Sequence, residues 1–163
     1  TSGQDPMYLF RRRTRFAVED VGLADPNALQ IAIAAWQAYE RLGSPEGDLA
    51  IASLVIYLGT APKSNASEVA WNNAYATAKS TGSLPPPMHI INAPTKLMEK
   101  QGFGAGYVYD PDTKDGFSGQ NYWPDDMRRQ KFYTPVERGF ERDIKKRLEY
   151  WENLRIRSNK GEK

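Results

Sequence analysis

The chain has 163 residues, of which 40% are hydrophobic and 26% charged, and its formal net charge is +2. This length suits one domain, and the apolar fraction is large enough to form a core, so a disordered chain is excluded. There is no cysteine and one histidine, His89, which excludes disulfides, structural zinc and iron–sulfur clusters and favours the cytoplasm. No apolar run approaches the roughly 20 residues that span a bilayer, so we expect no membrane association.

The first two predicted helices each begin at an aspartate followed by proline, which is a typical helix start. Asp5-Pro6 opens the first helix, and Gly22 is predicted to end it. Asp25-Pro26 opens the second helix, and Gly43 is predicted to end it. The apolar residues of the second helix recur at helical spacing and form a predicted buried stripe: Leu29, Ala32, Ile33, Trp36 and Tyr39.

The third predicted helix differs from the others because residues 49–58 are apolar on nearly every side. A buried strand is the alternative for so short a run, but the Ser44-Pro45 start and the flanking helices favour a helix. A helix without a polar face is surrounded by other helices or by another subunit. From apolarity alone, the candidate residues for a subunit interface are Ile51, Leu54, Val55 and Leu58.

Two more helices are predicted beyond the break at Ala61-Pro62. Ser64 is predicted to cap an alanine-rich fourth helix, and a short helix is predicted over 94–101 after residues 92 and 93. Residues 103–133 then show no sustained period and contain eight aromatic side chains. A loop of this length and composition is predicted to be ordered and to lie against the helices, held there by its rings.

The last predicted helix follows a capping box at 134–137, and Gly139 is predicted to delay its regular part by a turn. Its predicted apolar stripe runs from Phe140 to Leu154, and Glu141 is predicted to pair with Lys145 on the solvent side. We therefore predict an all-α fold, a compact bundle of about five or six helices. One domain is predicted over 1–157, with a frayed polar tail over 158–163.

Basic residues form local clusters although the net charge is small. Two clusters supply the candidate DNA-phosphate contacts, which are Arg11, Arg12, Arg13 and Arg15 near the start and Arg128, Arg129 and Lys131 later in the chain. A third cluster lies at 145–147. Each cluster is either a solvated surface or a site for phosphate. The 103–133 loop contains aromatic rings interleaved with basic residues. These rings either pack against the helices or bind a single-stranded nucleic acid.

The chain lacks the sequence motifs of common catalytic and ligand sites. Nothing fits a phosphate-binding loop, and residues 110–121 fail as a calcium loop because Asp115 stands where glycine is needed. His89 is the only candidate general base, and it has no evident nucleophile to activate, so a structural role is favoured. Glu19 and Asp20 are expected to point in different directions on a helix and to cap it or pair with nearby arginines. We predict no catalytic, cofactor-binding or metal-binding residue.

Several short blocks of sequence carry a resemblance to a known family. They read EDVGLADP at 19–26, APKSN at 61–65, HIINAPTKLM at 89–98, FSGQNY at 117–122, RGFE at 138–141 and RLEYW at 147–151. By these blocks the chain resembles the C-terminal domain of the MgsA/RarA family of AAA+ ATPases. The chain departs from the family at Ile90-Ile91, where Leu-Arg is usual. The family-motif residues are Glu19, Asp20, Asp25, Pro26, Lys63, Ser64, Asn65, His89, Asn92, Pro94, Lys96, Arg138 and Gly139.

The resemblance implies a helical domain similar to the collar of clamp-loader subunits, which holds the parent protein together as a homotetramer. It implies that ATP and Mg²⁺ belong to an N-terminal ATPase module and that this region has no cofactor of its own. It also implies a cytoplasmic, nucleoid-associated parent that is a DNA-dependent ATPase of replication, recombination and repair at stalled forks. DNA and single-stranded DNA-binding protein are the implied partners. The chain starts at Thr1 rather than Met, which we interpret as the start of a segment of a longer protein.

Three hypotheses about function follow. The first is an oligomerisation domain, based on the motif blocks, the missing catalytic set and the third helix. The second is a nucleic-acid-binding module, based on the basic clusters and the aromatic loop. The third is an enzyme, for which His89 is the only candidate. The first two are compatible with each other.

Overall fold

The computed structural model describes residue 3 and residues 5–159 of the chain. Within these residues the chain forms helices and no β-strand, which confirms the predicted all-α class and a helical third element. No helix among these residues is long and apolar enough to cross a membrane. The six α-helices are α1 Pro6–Phe16, α2 Asn27–Leu42, α3 Asp48–Thr60, α4 Ala66–Thr81, α5 Lys96–Lys100 and α6 Glu141–Asn159.

The chain divides into two compact units. Unit 1 comprises residues 1–74 and 132–146, and unit 2 comprises residues 75–131 and 147–163. Helices α4 and α6 contribute residues to both units. The single domain over 1–157 stays a prediction. Of the predicted tail, residues 158 and 159 belong to α6, and residues 160–163 lie outside the described residues.

The starts of α1 and α2 follow from local side-chain caps. Asp5 Oδ1 accepts a hydrogen bond from the Met7 amide at 2.9 Å, and Asp25 Oδ1 accepts one from the Asn27 amide at 3.1 Å. These bonds satisfy amides at the helix start that have no partner within the helix. Both predicted starts are confirmed, and so is the end of α2 at Gly43, which has a φ of 68°.

The core of unit 1 forms where α1, α2 and α3 pack together. The Phe10 ring lies 6.0 Å from Trp36 and 5.5 Å from Tyr39, measured between ring centroids. Small side chains on α2 allow the helices to approach closely, and leucines of α3 fill the remaining volume. The buried residues of this core are Phe10, Ala17, Val21, Ala28, Ala32, Ala35, Leu54 and Leu58.

The stripe predicted on α2 is wrong in part. Leu29 and Ile33 remain 41% and 40% exposed, whereas Ala28, Ala32 and Ala35 are buried. The buried face is thus rotated by about one residue from the prediction. Close packing of α2 against its neighbours accommodates alanine better than a branched side chain, so the larger residues remain at the edge of the contact.

In unit 2 the aromatic residues make the best-defined contacts. The Phe117 ring lies 5.1 Å from Trp151, and the Arg155 guanidinium lies 5.2 Å from the same Phe117 ring. Residues 101–140 contain one 3-10 turn, Asp110–Asp112, and no α-helix. Helix α5 begins later than predicted because its capping residue is Thr95, whose Oγ1 accepts from the Met98 amide at 3.3 Å.

Candidate functional site

Three of the family-motif blocks meet in unit 1, although they are far apart in the sequence. The Ser64 amide donates to the Asp20 carbonyl at 2.8 Å, and the Phe140 amide donates to the Ala24 carbonyl at 2.8 Å. Arg138 Nη1 donates to the Lys63 carbonyl at 3.0 Å. Residues 19–26, 61–65 and 138–141 therefore form one connected structure, which we call the motif junction.

A buried carboxylate lies at the centre of the motif junction. Glu141 is fully buried, and it accepts hydrogen bonds from Ser64 Oγ at 2.9 Å and from the Val136 amide at 2.6 Å. Ser64 Oγ in turn accepts from the Ala66 amide at 3.2 Å, which confirms the predicted cap of α4. One chain of hydrogen bonds thus links the first residue of α6 to the start of α4.

This arrangement corrects the prediction for the last helix. Glu141 does not pair with Lys145 on the solvent side, because its carboxylate is enclosed in unit 1. Lys145 instead forms an ion pair with Glu137, and that contact lowers the pKa of the Glu137 carboxyl. The delay at Gly139 is confirmed, since α6 begins at Glu141. Burial, followed by the neighbouring Glu141 carboxylate, raises the pKa of Tyr133 far above its ordinary value.

Two glycines allow the close approach of backbones in the motif junction. Gly139 has a φ of 51°, and a Cβ added there would overlap the Ala24 carbonyl oxygen and lie 2.8 Å from Pro62 Cγ. Gly22 has a φ of 53°, and its Cβ would lie 2.7 Å from the Ser64 carbonyl oxygen. Both positions therefore require glycine for two independent reasons, the left-handed backbone and the lack of space.

Other motif residues stabilise the same region. Lys63 Nζ donates to the Leu58 carbonyl at 2.8 Å and also to the Ala61 carbonyl, so it caps the end of α3. The Tyr57 hydroxyl donates to Asp25 Oδ2 at 2.5 Å, and this hydrogen bond raises the pKa of Tyr57. Pro26 and Asn65 are exposed. These contacts give the motif junction a structural role.

The other three motif blocks, at 89–98, 117–122 and 147–151, lie in unit 2, where ring contacts join residue 89 to residue 122 and residue 117 to residue 151. The His89 ring lies 6.0 Å from the Tyr122 ring in a stacked arrangement, and its Nε2 is buried without a hydrogen-bond partner in the described part of the chain. Asn92, Pro94 and Lys96 are exposed. Within the described residues no group of three His, Asp or Glu side chains is placed to hold a metal ion.

The interface residues predicted on α3 need correction. Leu54 and Leu58 are 0% and 2% exposed and belong to the core of unit 1, so their side chains cannot reach a second subunit. Ile51 packs against that core, and Val55 is exposed. A uniformly apolar helix carries no sequence signal for which of its faces is buried. The large apolar residues that α3 exposes most are Leu49 and Ile56, with Ala52 and Ser53 exposed between them.

A shallow basic groove lies on α1 and the turn that follows it. Its volume is about 210 Å³, and its lining residues are Arg12, Arg13, Arg15, Phe16, Glu19 and Asp20. Helix α1 continues into a π-helical turn, Ala17–Val21, and both acidic residues of this turn, Glu19 and Asp20, are among the lining residues. That their side chains point in different directions stays a prediction. A π-turn has a wider spacing than an α-helix, and such turns are frequent at functional sites.

Among the residues that line this groove, Arg15 and Glu19 form an ion pair. Arg15 Nε donates to both Glu19 carboxylate oxygens, at 2.8 and 2.7 Å, which raises the pKa of Arg15 and confirms the expected pairing with a nearby arginine. Arg11 and Arg12 are exposed on the same helix. The second predicted cluster is also exposed, in unit 2: Arg128, Arg129 and Lys131.

The described residues form an all-helical structure, and in unit 1 the contacts of the motif junction hold its helices together. The chain matches the family model described as MgsA AAA+ ATPase C terminal over residues 1–152. The protein belongs to this family, as the motif blocks predicted.

Similar proteins carry names that refer to replication and recombination. Replication-associated recombination protein A of Coxiella burnetii is 49% identical over 93% of this chain and 35% of its own length. The protein of the same name in Escherichia coli K12 is 44% identical over 91% of this chain and 33% of its own length. ATPase WRNIP1 of Dictyostelium discoideum is 40% identical over 81% of this chain and 15% of its own length. The chain thus spans about a third of the bacterial relatives.

Proposed function

We propose that this chain is a non-catalytic domain that assembles a DNA-dependent AAA+ ATPase into a homotetramer. The parent would act in DNA replication, recombination and repair at stalled forks, and it would bind ATP and Mg²⁺ outside this region. Membership of the MgsA C-terminal family and the names of the bacterial relatives support the link to replication and recombination. Single-stranded DNA-binding protein and DNA are proposed partners of the parent.

The exposed apolar face of α3 is the observation that supports self-association. Leu49 and Ile56 are 73% and 67% exposed, and residues 49–60 contain no charged side chain. A surface without charges does not attract phosphate, but it gains free energy when a similar surface covers it, roughly 25 cal/mol for each Å² buried. Exposed apolar patches on folded domains mark sites of protein association.

Solution mass by light scattering after size exclusion tests this proposal. Four copies of the 18.4 kDa chain give about 74 kDa, which is the mass we expect for the wild type. Ile56→Asp places a charge in the apolar face, so we expect it to shift the mass toward that of the single chain. A charge at an interface centre without a partner costs several kcal/mol in association.

Ile156→Asp is the matched control, because it makes the same substitution at an isoleucine of α6 that is 44% exposed. We expect the control to keep the wild-type mass. A wild-type monomer at high micromolar concentration, or an unchanged mass for Ile56→Asp, would contradict the role of the α3 face.

A second candidate function, nucleic-acid binding, is favoured by the arginines of α1. The side chains of Arg11, Arg12 and Arg13 form no ion pair with an acidic residue in the described part of the chain. Neighbouring guanidinium groups without acidic partners attract phosphate, and binding of this kind weakens steeply with salt.

Fluorescence anisotropy with a labelled DNA fork tests the second candidate. The triple variant Arg11→Ala, Arg12→Ala, Arg13→Ala is expected to bind at least about tenfold more weakly and to lower the salt slope by up to about 3. The control removes three exposed lysines instead, Lys96, Lys100 and Lys114, and so makes the same change in net charge. Absence of binding by the wild type at 50 mM salt would reject this function, because electrostatic binding is strongest there.

A further inference from the structure

The exposed face of α3 alternates large and small side chains along the helix. Its large members are Leu49 and Ile56. Its small members are exposed as well, and they are Ala52, Ser53, Gly59 and Thr60. Because these positions follow one another at steps of three and four residues, they lie on one side of the helix. The Thr60 hydroxyl donates to the Ile56 carbonyl at 3.0 Å, so it is satisfied within the helix and tolerates being covered.

Gly59 is not required by the fold of its own chain. It lies one residue before the end of α3, its φ is not in the left-handed region, and an added Cβ would meet no atom within 4 Å. Glycine inside a helix is less favourable than alanine, because it gives up more backbone freedom on folding. Glycine is useful where another segment must approach the backbone closely. Gly59 therefore indicates a close contact with a molecule outside this chain.

The order of large and small residues fits a second, antiparallel copy of α3. In a pair centred at the level of residue 54, Leu49 of one copy lies opposite Gly59 of the other, and Ile56 lies opposite Ala52. Each large side chain then meets a small one, as in knobs-into-holes packing. A parallel pair would place large residues against large ones and would bring together the charges of Asp48, in the first turn of α3, in the two copies.

We propose that two copies of this chain pack α3 against α3 in antiparallel orientation across a twofold axis at the level of residue 54. This inference rests on the proposed assembly through α3 and adds the orientation and register of the contact. A twofold contact uses the same surface on both copies and joins only two of them. A tetramer then needs a second kind of contact on another surface, whereas a head-to-tail contact through α3 closes a ring without one.

Oxidative cross-linking of introduced cysteines tests the register, because the chain has no cysteine of its own. Packed helix axes lie roughly 8–10 Å apart, and a disulfide needs Cα atoms within about 7 Å. Position 53 lies next to the axis, so we expect Ser53→Cys to form a covalent dimer. Position 49 lies about 15 Å along the helix from its equivalent in the second copy. Leu49→Cys should therefore cross-link about tenfold more slowly alone than when it is mixed with Gly59→Cys.

Gln37→Cys is the control for cross-linking, because it places a cysteine at an exposed position of α2. It should stay a single chain under the same oxidant. Cross-linking of Leu49→Cys alone at the rate of Ser53→Cys would show a parallel pair and overturn the proposal. If Ser53→Cys does not cross-link while the wild type has the mass of a tetramer, the twofold contact through α3 is wrong and the assembly persists.

Gly59→Leu separates a contact from a structural role within the chain. Its side chain occupies the space proposed for Leu49 of the second copy, so we expect light scattering to give about half the wild-type mass. Circular dichroism should show at least the wild-type helix content, since leucine favours a helix more than glycine does. Gln37→Leu, at an exposed position of α2, is the control and should keep the wild-type mass.

The mass of each protein decides between the remaining outcomes. A wild-type mass for Gly59→Leu would overturn the close contact at residue 59. A mass of a single chain for Gly59→Leu, from a wild-type tetramer, would indicate a head-to-tail ring and overturn the twofold axis. A wild type that is itself a monomer would reject the proposed assembly on which this inference rests.

Discussion

Replacement of Gly139 by alanine is expected to lower the free energy of unfolding of unit 1 by about 3 kcal/mol or more. The φ of 51° lies in the left-handed region, which costs a residue with a Cβ about 1–2 kcal/mol. The added Cβ would also overlap the Ala24 carbonyl oxygen. This oxygen accepts a hydrogen bond from the Phe140 amide, with 2.8 Å between oxygen and nitrogen. Relief of this overlap separates the start of α6 from residues 19–26. Urea denaturation followed by circular dichroism measures the loss.

Gly43→Ala separates the two contributions. Gly43 also belongs to unit 1 and has a φ of 68°, but nothing lies within 4 Å of an added Cβ there. Its replacement by alanine should lower the free energy of unfolding only by the cost of the left-handed backbone, about 1–2 kcal/mol. If the two variants lose the same stability, the close approach of Gly139 to residue 24 does not contribute to the fold of unit 1.

Replacement of Glu141 by alanine should destabilise unit 1 by about 2–4 kcal/mol. The substitution leaves a cavity where a fully buried side chain was and removes the acceptor of Ser64 Oγ and of the Val136 amide. A buried donor without an acceptor costs about 1–3 kcal/mol. The carboxylate also stands at the first residue of α6, where the helix dipole favours negative charge. Chemical denaturation gives the change in stability.

Two further variants define the origin of this loss. Glu141→Gln retains the shape and one acceptor oxygen, so we expect it to lose about half as much stability as the alanine variant. Glu149→Ala removes an exposed glutamate of the same helix and should change stability by less than about 0.5 kcal/mol. If Glu141→Ala has the same free energy of unfolding as Glu149→Ala, the buried hydrogen bonds of Glu141 do not stabilise the contact between α4 and α6.

Local sequence signals predicted where most helices begin and end. Asp5, Asp25 and Ser64 each accept a hydrogen bond at the helix start they were expected to cap. Gly43 ends α2, and Gly139 delays α6 as expected. These features are predictable because a cap or a turn involves residues within a few positions of one another. The cap of α5 was missed because Thr95 lies inside the predicted helix.

The faces that helices bury were predicted less well. Leu54 and Leu58 were candidates for a subunit contact and lie in the core instead, whereas Leu49 and Ile56 are exposed. A helix that is apolar on all sides contains no asymmetry from which its orientation can be inferred. On α2, alanines rather than the larger residues face the core, because the distance between helices sets which side-chain volume fits.

The sequence by itself determined the all-α class, most helix ends and the family, because these depend on local residue order. Only the tertiary structure showed that the blocks at 19–26, 61–65 and 138–141 meet, since hydrogen bonds such as that between Ser64 and Glu141 join residues distant in the chain. The same holds for Glu19 and Asp20, which a π-turn brings to one groove. Burial and contacts between distant segments depend on how whole helices pack, and neither caps nor periodicity encode that packing.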